Sequence, residues 1–275
     1  MRRFYYILIG LAMLPMLLLA GGPDASSECQ DAFQPVRFLG AWTPFFESNT
    51  GRFPADVKYF SRGIDYAVGL KSDGLDLLLV NLEAKTNEPY SSCIGIRFVG
   101  ASPYPTIEGA GRFPQPMRYY LGTMPPKLQE VTAYSKVQYK SVFPGVDLFF
   151  SCNSTFLEYY FVLSGRANLY DVVMEFSGAD KMSLNEDGEL VIRTKAGTII
   201  RPAPKLYQEV NGIREPIAGG YVLLTKNRVG FDAGPYNQMA SLVIDPVLVY
   251  FKTENNWAKN NESDKAPRLM VAPPR

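Results

Sequence analysis

Two carboxylates, Asp147 and Glu158, lie on either side of a short polar turn in the most apolar part of the chain. Facing carboxylates can act as the acid and base of glycoside hydrolysis, and carboxylate oxygens can hold Ca²⁺. Asp147 and Glu158 could be cross-strand neighbours on one face of a sheet. The plainer interpretation is that each faces water, as the polar alternates of half-buried strands usually do. We therefore expect no catalytic residue, metal site or cofactor, and keep both residues as candidate ligand contacts.

Histidine is absent from all 275 residues. Its absence removes the commonest general base and the commonest metal ligand. Ser-His-Asp, Cys-His and His-ligated zinc mechanisms are therefore excluded. Because no other catalytic constellation is recognisable, the sequence predicts that the protein is not an enzyme.

Four aromatic residues lie in a Gly- and Pro-rich stretch, residues 100–126, which is typical of a long connection or a domain seam. Exposed rings there could stack on a sugar ring. Packed rings would instead fill the seam, since aromatic side chains dominate core burial. These four candidate ligand contacts are Tyr104, Phe113, Tyr119 and Tyr120.

Three cysteines, Cys29, Cys93 and Cys152, allow one disulfide and a leftover thiol, or no disulfide. Their spacing fits no zinc pattern. We favour a Cys93–Cys152 bridge, because Cys29 lies close to the expected mature N-terminus. Isolated thiols are the alternative, since free cysteine is often buried.

The elements that would position these residues are strands. From Tyr139 to Val162, two apolar runs with period-two alternation surround the turn at 152–155, which predicts a hairpin. Further turn signals recur about every eight to twelve residues, and no stretch has the pattern of an amphipathic helix. We predict an all-β, β-sandwich-like fold, with two packed β subdomains joined by the seam at 100–126. The expected turns are Ser72–Gly74, Pro144-Gly145, Asp187-Gly188, Asn211-Gly212 and Lys226-Asn227.

The last predicted strand runs from Leu242 to Tyr250 and contains Pro246. Proline cannot donate a ladder hydrogen bond, so it is confined to edge strands and bends. This strand is therefore expected either to lie at a sheet edge or to bend at the proline.

Residues 1–25 have the pattern of a secretory signal peptide: a basic start, an apolar run to Ala20 and then small residues. An uncleaved anchor is the alternative, but the run is short for a bilayer span and Pro15 interrupts it. We expect a lead-in over residues 26–44, the β-rich domain over 45–250 and a disordered tail over 251–275. The protein is thus expected to be exported: periplasmic, cell-surface or secreted.

A series of short motifs follows in order along the chain. They include Phe46-Glu47-x-Asn49-x-Gly51, Tyr119-Tyr120-x-Gly122, Val142–Leu148, Leu157-Glu158-Tyr159-x-Phe161 and Leu242–Pro246. This series resembles the N-terminal domain of bacterial SBBP-repeat (β-propeller) cell-surface proteins, a family of unknown function. The resemblance covers roughly residues 45–250 and implies a bacterial cell-surface setting.

Three features depart from that family pattern. Tyr160 stands where the family usually has Asp, and Arg118 stands where it usually has Asn. The chain also ends soon after Asp245-Pro246, where propeller repeats would normally follow, and it contains no internal repeat of propeller length. The expectation is a stand-alone copy without the repeats.

These observations predict an exported, non-enzymatic β-domain that serves as a cell-surface or envelope interaction or structural module. Its contacts would use exposed sheet edges or the Gly/Pro-rich loops. The alternative is a carbohydrate-binding module or a carboxylate-dependent glycoside hydrolase. The expected partner is an envelope protein or a glycan. A net charge of +1 gives no electrostatic case for nucleic acid, and membrane contact is expected only through the export signal.

Overall fold

The structure is a computed structural model that describes residues 44–63, 66–81, 90–121, 127–153, 156–210, 212–245 and 250–252. The expected signal peptide, almost all of the lead-in and Cys29 lie outside these stretches. So do residues 253–275 of the expected tail.

The regular secondary structure of the described residues is almost all strand, and the predicted all-β fold is confirmed. One short 3-10 helix, η1, spans Leu169–Asp171. The first eleven strands are β1 (Phe46–Ser48), β2 (Tyr59–Arg62), β3 (Tyr66–Lys71), β4 (Gly74–Asn81), β5 (Tyr90–Phe98), β6 (Thr106–Arg112), β7 (Met117–Leu121), β8 (Lys127–Val131), β9 (Ala133–Phe143), β10 (Val146–Asn153) and β11 (Phe156–Leu163). The others are β12 (Met174–Ser177), β13 (Lys181–Leu184), β14 (Leu190–Thr194), β15 (Gly197–Arg201), β16 (Leu206–Val210), β17 (Ile213–Ile217), β18 (Gly219–Leu223), β19 (Arg228–Ala233), β20 (Leu242–Ile244) and β21 (Tyr250–Lys252).

Fifteen strands form one antiparallel sheet that is nearly closed. Its strand order is β17-β16-β20-β11-β10-β9-β1-β2-β3-β4-β5-β12-β19-β18, with β6 added to β9. Strands from both sides of residues 100–126 pair in this sheet, β1 with β9 and β5 with β12. A four-stranded sheet, β13-β14-β15-β21, and the separate hairpin β7–β8 complete the fold.

The central hairpin forms where the alternation predicts it. β10 and β11 pair without interruption from Val146 opposite Leu163 to Asn153 opposite Phe156. The preceding turn contains Gly145 at φ +72°, a backbone conformation that glycine adopts without steric cost. The other expected turns also join paired strands, between β3 and β4, β13 and β14, β16 and β17, and β18 and β19.

One hydrophobic core fills the inner face of the large sheet. The Phe161 ring of β11 lies 6.4 Å from that of Phe98 on β5 and 6.1 Å from that of Phe231 on β19, centroid to centroid. β11 is near one end of the strand order, whereas β5 and β19 are near the other. The sheet therefore folds back on itself, and its two halves pack face to face as in a sandwich.

The four-stranded sheet covers part of this core and places an arginine inside it. Arg201 of β15 is 1% exposed, and its Nη1 donates to the Tyr159 hydroxyl over 2.7 Å. Its guanidinium carbon lies 5.2 Å from the Phe176 ring centroid. Its Nε has no hydrogen-bond partner, and none of the ion pairs within the described stretches includes Arg201.

Residues 100–126, expected as a connection, contribute two strands. β6 pairs with β9 from Thr106 opposite Lys140 to Arg112 opposite Tyr134, and β7 pairs with β8. β6 exposes most of its side chains. For that reason its sequence is polar and Gly-rich and lacks the apolar alternation that marks a buried strand.

The last predicted strand is divided between two sheets. β20 lies between β11 and β16 in the large sheet, so this part of the segment is not an edge strand, whereas β21 lies at the edge of the four-stranded sheet. β20 ends at Ile244, and residues 246–249, which include Pro246, lie outside the described stretches. The chain then pairs as β21 with β15 in the four-stranded sheet, and two residues of β21 fall within the expected tail.

A second, smaller cluster lies on the opposite face of strands β2–β5. Leu78 and Cys93 belong to it, whereas their chain neighbours Leu77 and Ile94 point into the main core. This side of the sheet is therefore covered locally as well. Among the residues described, no helix has the length and apolar character needed to cross a membrane.

Candidate functional site

The candidate aromatic contacts do not form one platform. Tyr104 precedes β6 and is 91% exposed, while Phe113 follows β6 and makes an edge contact with Phe45 at 6.4 Å between ring centroids. Tyr119 of β7 is half-buried, and the side chain of Tyr120 lies outside the described part of the structure. Each ring therefore has a different environment.

Tyr119 packs on a charged cluster. The Arg52 guanidinium carbon lies 3.7 Å from the Tyr119 ring centroid. Glu47 of β1, 1% exposed, accepts hydrogen bonds from both Arg52 and Arg62. Burial raises the pKa of Tyr119, and the Glu47 charge adds to this. The β7–β8 hairpin is thus held against β1 and β2 through a buried carboxylate and two arginines.

The two candidate carboxylates lie on one sheet face but are not neighbours. Asp147 is opposite Val162, and Glu158 is opposite Ser151, four positions further along β10. At about 3.3 Å per residue, their strand positions are roughly 13 Å apart. The stacked rings of Phe149 and Tyr160, with centroids 4.8 Å apart, stand between them. The two carboxylates therefore share a face, as the sequence allowed, but they are not cross-strand neighbours.

Asp147 has a structural role at a bulge in the β9–β10 pairing. The register shifts between Val146 and Leu148, and Ser141 has φ +53°. The Asp147 carboxylate accepts a hydrogen bond from the Ser141 backbone N–H at 2.7 Å, which satisfies a donor that the ladder leaves unpaired.

The expected Cys93–Cys152 bridge is wrong, because Cys93 is disulfide-bonded whereas Cys152 is a free thiol. The two side chains point to different clusters: Cys93 belongs to the smaller one, and Cys152 packs against the main core. Burial raises the pKa of the Cys152 thiol to about 12. A thiol of that pKa is a poor nucleophile at neutral pH.

A groove of about 650 Å³ lies between two loops that the sequence did not single out. One loop follows β11 and contains η1, and the other joins β19 to β20. The floor is apolar, since Leu169 is buried and Ala167, Ala233 and Tyr236 pack against the core. Arg166, Tyr170 and Gln238 line the groove from exposed positions.

The exposed lining groups are available to a ligand. Tyr170 is 72% exposed, and its ring makes no ring contact within the described structure. Arg166 forms no ion pair there, and its Nε donates only to the Met239 sulfur, a weak acceptor, at 3.3 Å. The Gln238 side chain is exposed as well. An aromatic face, a guanidinium and an amide therefore converge on one concave surface.

Backbone contacts hold the two loops together. The Arg166 N–H donates to the Gln238 carbonyl over 2.6 Å, and a Cβ on Gly165 would clash with the Met239 carbonyl oxygen. Asn168 caps η1 by accepting a hydrogen bond from the Tyr170 N–H. The groove is thus pre-formed, which lowers the cost of ordering it when a ligand binds.

The comparison with protein families matches residues 46–247 to a domain of unknown function, DUF7948. The chain belongs to the DUF7948 family. A search of curated proteins and a search of solved structures each found no match. The DUF7948 match begins with Phe46 of β1 and ends just beyond β20, so it includes both loops of the groove.

Two further observations concern the chemistry of this DUF7948 domain. Within the described residues, no group of three or more Cys, Asp or Glu side chains is arranged to hold a metal ion. The expected turn at Asp187-Gly188 forms with the help of Asn185, whose side chain accepts hydrogen bonds from the Asp187 and Glu189 N–H groups. The turn interpretation of that segment is confirmed.

Sequence reasoning missed the groove because its residues share no motif. Arg166, Tyr170 and Gln238 are separated by up to 72 positions and come from two loops that only the tertiary fold brings together. One available signal was the stretch from Ser164 to Asp171, which follows the predicted central hairpin and mixes Gly, Arg, Asn and Tyr.

Proposed function

We propose that this DUF7948 domain is an exported, non-enzymatic binding module that recognises a saccharide of the cell envelope in the groove. The observation that carries the proposal is the convergence of Tyr170, Arg166 and Gln238 on a pre-formed concave surface. Sugar-binding sites need an aromatic face for stacking and planar polar groups for hydroxyls, and all three side chains are available. The groove volume lies within the usual range for ligand sites, roughly 300–1,000 Å³.

The position of the groove supports binding through loops. Both of its loops are anchored on strands of the large sheet, β11 and β12 for one loop and β19 and β20 for the other. Binding residues are commonly carried by loops on a rigid scaffold. The pattern of residues 1–25 and the resemblance to SBBP-repeat cell-surface proteins support the cell envelope as the place where such a ligand would be met.

The hydrolase alternative has less support. Paired catalytic carboxylates lie about 5–9.5 Å apart, whereas the strand positions of Asp147 and Glu158 are roughly 13 Å apart. A stacked aromatic pair separates them. The described lining of the groove contains no carboxylate. The binding proposal therefore predicts that Glu158→Gln leaves saccharide binding unchanged.

A glycan array probed with the full purified chain tests the proposal. We expect binding to a defined set of saccharides, and we expect Tyr170→Ala to lower the affinity about five- to tenfold by removing the stacking ring. Tyr104→Ala is the matched control, because Tyr104 is more exposed but lies outside the groove. Equal losses in both variants, or capture of an envelope protein without any glycan signal, would overturn the saccharide proposal.

A further inference from the structure

The described lining of the groove carries positive charge and no negative charge. Arg166 is the only charged side chain among its described lining residues. Its guanidinium remains protonated at any physiological pH and has no carboxylate partner within the described structure. An unpaired cation beside a concave surface favours a ligand that brings its own negative charge.

The nearest carboxylates along the two loops do not offset this charge. Asp171 accepts a hydrogen bond from the Asn168 side-chain amide at 2.8 Å, and Asp232 accepts one from the Gly220 N–H at 3.0 Å. Neither lines the groove. Both are held in local contacts, so within the described stretches the Arg166 guanidinium is left for an anionic group of a ligand.

Arg166 is held in an unusual backbone conformation. Its φ is +70°, which is uncommon for a residue with a side chain. The hydrogen bond from its N–H to Gln238 and the close approach of Gly165 to Met239 fix this geometry. Backbone strain of this kind persists where the surrounding structure fixes the chain, and it clusters at ligand-binding and other functional sites. Arg166 lies at the edge of the groove.

We propose that the ligand of the groove is an acidic saccharide whose carboxylate binds the Arg166 guanidinium while a sugar ring stacks on Tyr170. This inference rests on the proposed saccharide binding and adds the chemical class. A planar guanidinium can donate two parallel hydrogen bonds to a carboxylate, which a lysine cannot reproduce. Gln238 lies on the opposite loop, where its amide can reach a hydroxyl of the same sugar.

The test uses oligosaccharides that contain uronic or sialic acid, each paired with its carboxyl-reduced counterpart, and measures binding to the full chain by calorimetry. We expect the acidic member of a pair to bind at least tenfold more tightly than the reduced one. Arg166→Gln should abolish that preference while keeping the weaker binding of the reduced form. Arg166→Lys keeps the positive charge but cannot donate two parallel hydrogen bonds, so it should give an intermediate preference for the acidic form.

The possible results separate the two proposals. If acidic and reduced forms bind equally and Tyr170→Ala weakens both, the acidic class is wrong while saccharide binding in the groove stands. If Arg166→Gln keeps the full preference for the acidic form, Arg166 is not its ligand and the inference fails. If no member of any pair binds, both proposals fail together. Raising the salt concentration should weaken only the acidic forms.

Discussion

The guanidinium of Arg201 donates a hydrogen bond to the Tyr159 hydroxyl over 2.7 Å in the interior of the protein. Tyr159 in turn contacts the Met174 sulfur at 3.5 Å, so its hydroxyl joins a cation to a thioether. Burial raises the pKa of Tyr159, which keeps this hydroxyl protonated and neutral. Among the described residues, the contacts that stabilise the buried charge of Arg201 are therefore a hydroxyl and two aromatic rings.

Replacing Arg201 by Met should raise the free energy of unfolding by about 1–2 kcal/mol, because an uncompensated buried charge costs more than its neutral contacts return. Urea denaturation measures the change. Arg201→Ala serves as the contrast, since the cavity it leaves should instead lower stability by about 2–5 kcal/mol. A large loss of stability in Arg201→Met would mean that the guanidinium stabilises the core.

Glu47 is also a buried charge, but neutralising it should lower stability, because its two partners are positively charged. The Glu47 side chain is 1% exposed, and those of Arg52 and Arg62 are 14% and 16% exposed. Glu47→Gln would leave two poorly solvated cations facing a neutral amide and should lower stability by about 3 kcal/mol. Glu175, which pairs with Arg97 and Arg228 at the surface, is the control, and Glu175→Gln should have little effect. Equal effects in the two variants would contradict this account.

Asp245, just after β20, should make stability depend on pH. Burial raises its pKa above the ordinary 3.8, and Glu158 adds to the rise while Arg214 and Lys205 oppose it. Between 3.8 and the raised value the folded state binds the proton more tightly than the unfolded state does. The free energy of unfolding therefore falls as the pH rises through this window. Above the window, the destabilisation caused by the ionised, partly buried carboxylate is complete.

Asp245→Asn should remove the destabilisation that the ionised Asp245 carboxylate causes. We expect a higher melting temperature than wild type at pH 7 and no difference near pH 3, where the carboxyl is protonated in both states. Glu186→Gln, at an exposed turn, is the matched control and should show no such convergence. A constant difference between Asp245→Asn and wild type at every pH would contradict the titration argument.

Cys152 should resist thiol reagents in the native protein. With a pKa of about 12, only about one thiol in 100,000 is ionised at pH 7, and burial limits access further. Labelling with an aromatic disulfide reagent should be undetectable within minutes and complete in urea. Cys152→Ser should remove the labelling seen in urea. Rapid native labelling would show that β10 opens at this position.

Alternation and turn chemistry were enough to predict the all-β fold and the central hairpin. Phe150 and Tyr159 reach the core because each follows the period-two pattern of its strand. The same pattern could not reveal β6, whose side chains face water, or the division of Leu242–Tyr250 between two sheets. Those features depend on which strands meet in space, and sequence separation carries little of that information.

The site was harder to predict for a related reason. Asp147 and Glu158 seemed to face each other because they flank one turn, but pairing in β10–β11 continues to Asn153 opposite Phe156 and separates them by four positions. The register of a hairpin is set by its turn, and a small change in loop length moves every pair. Tyr170 and Gln238 lie on different loops, so no local pattern joins them.

β17, at one end of the strand order of the large sheet, affects whether copies of the domain can associate through their sheet edges. An unpaired edge is a template on which strands from other molecules can add. β17 contains Pro216, which has no N–H to offer, and the side chains of Arg214 and Glu215 are exposed on either side of its chain. An incoming strand would meet an interrupted row of donors and charges that disfavour close packing. The β17 edge therefore disfavours edge-to-edge polymerisation when copies of this domain are held densely on a surface.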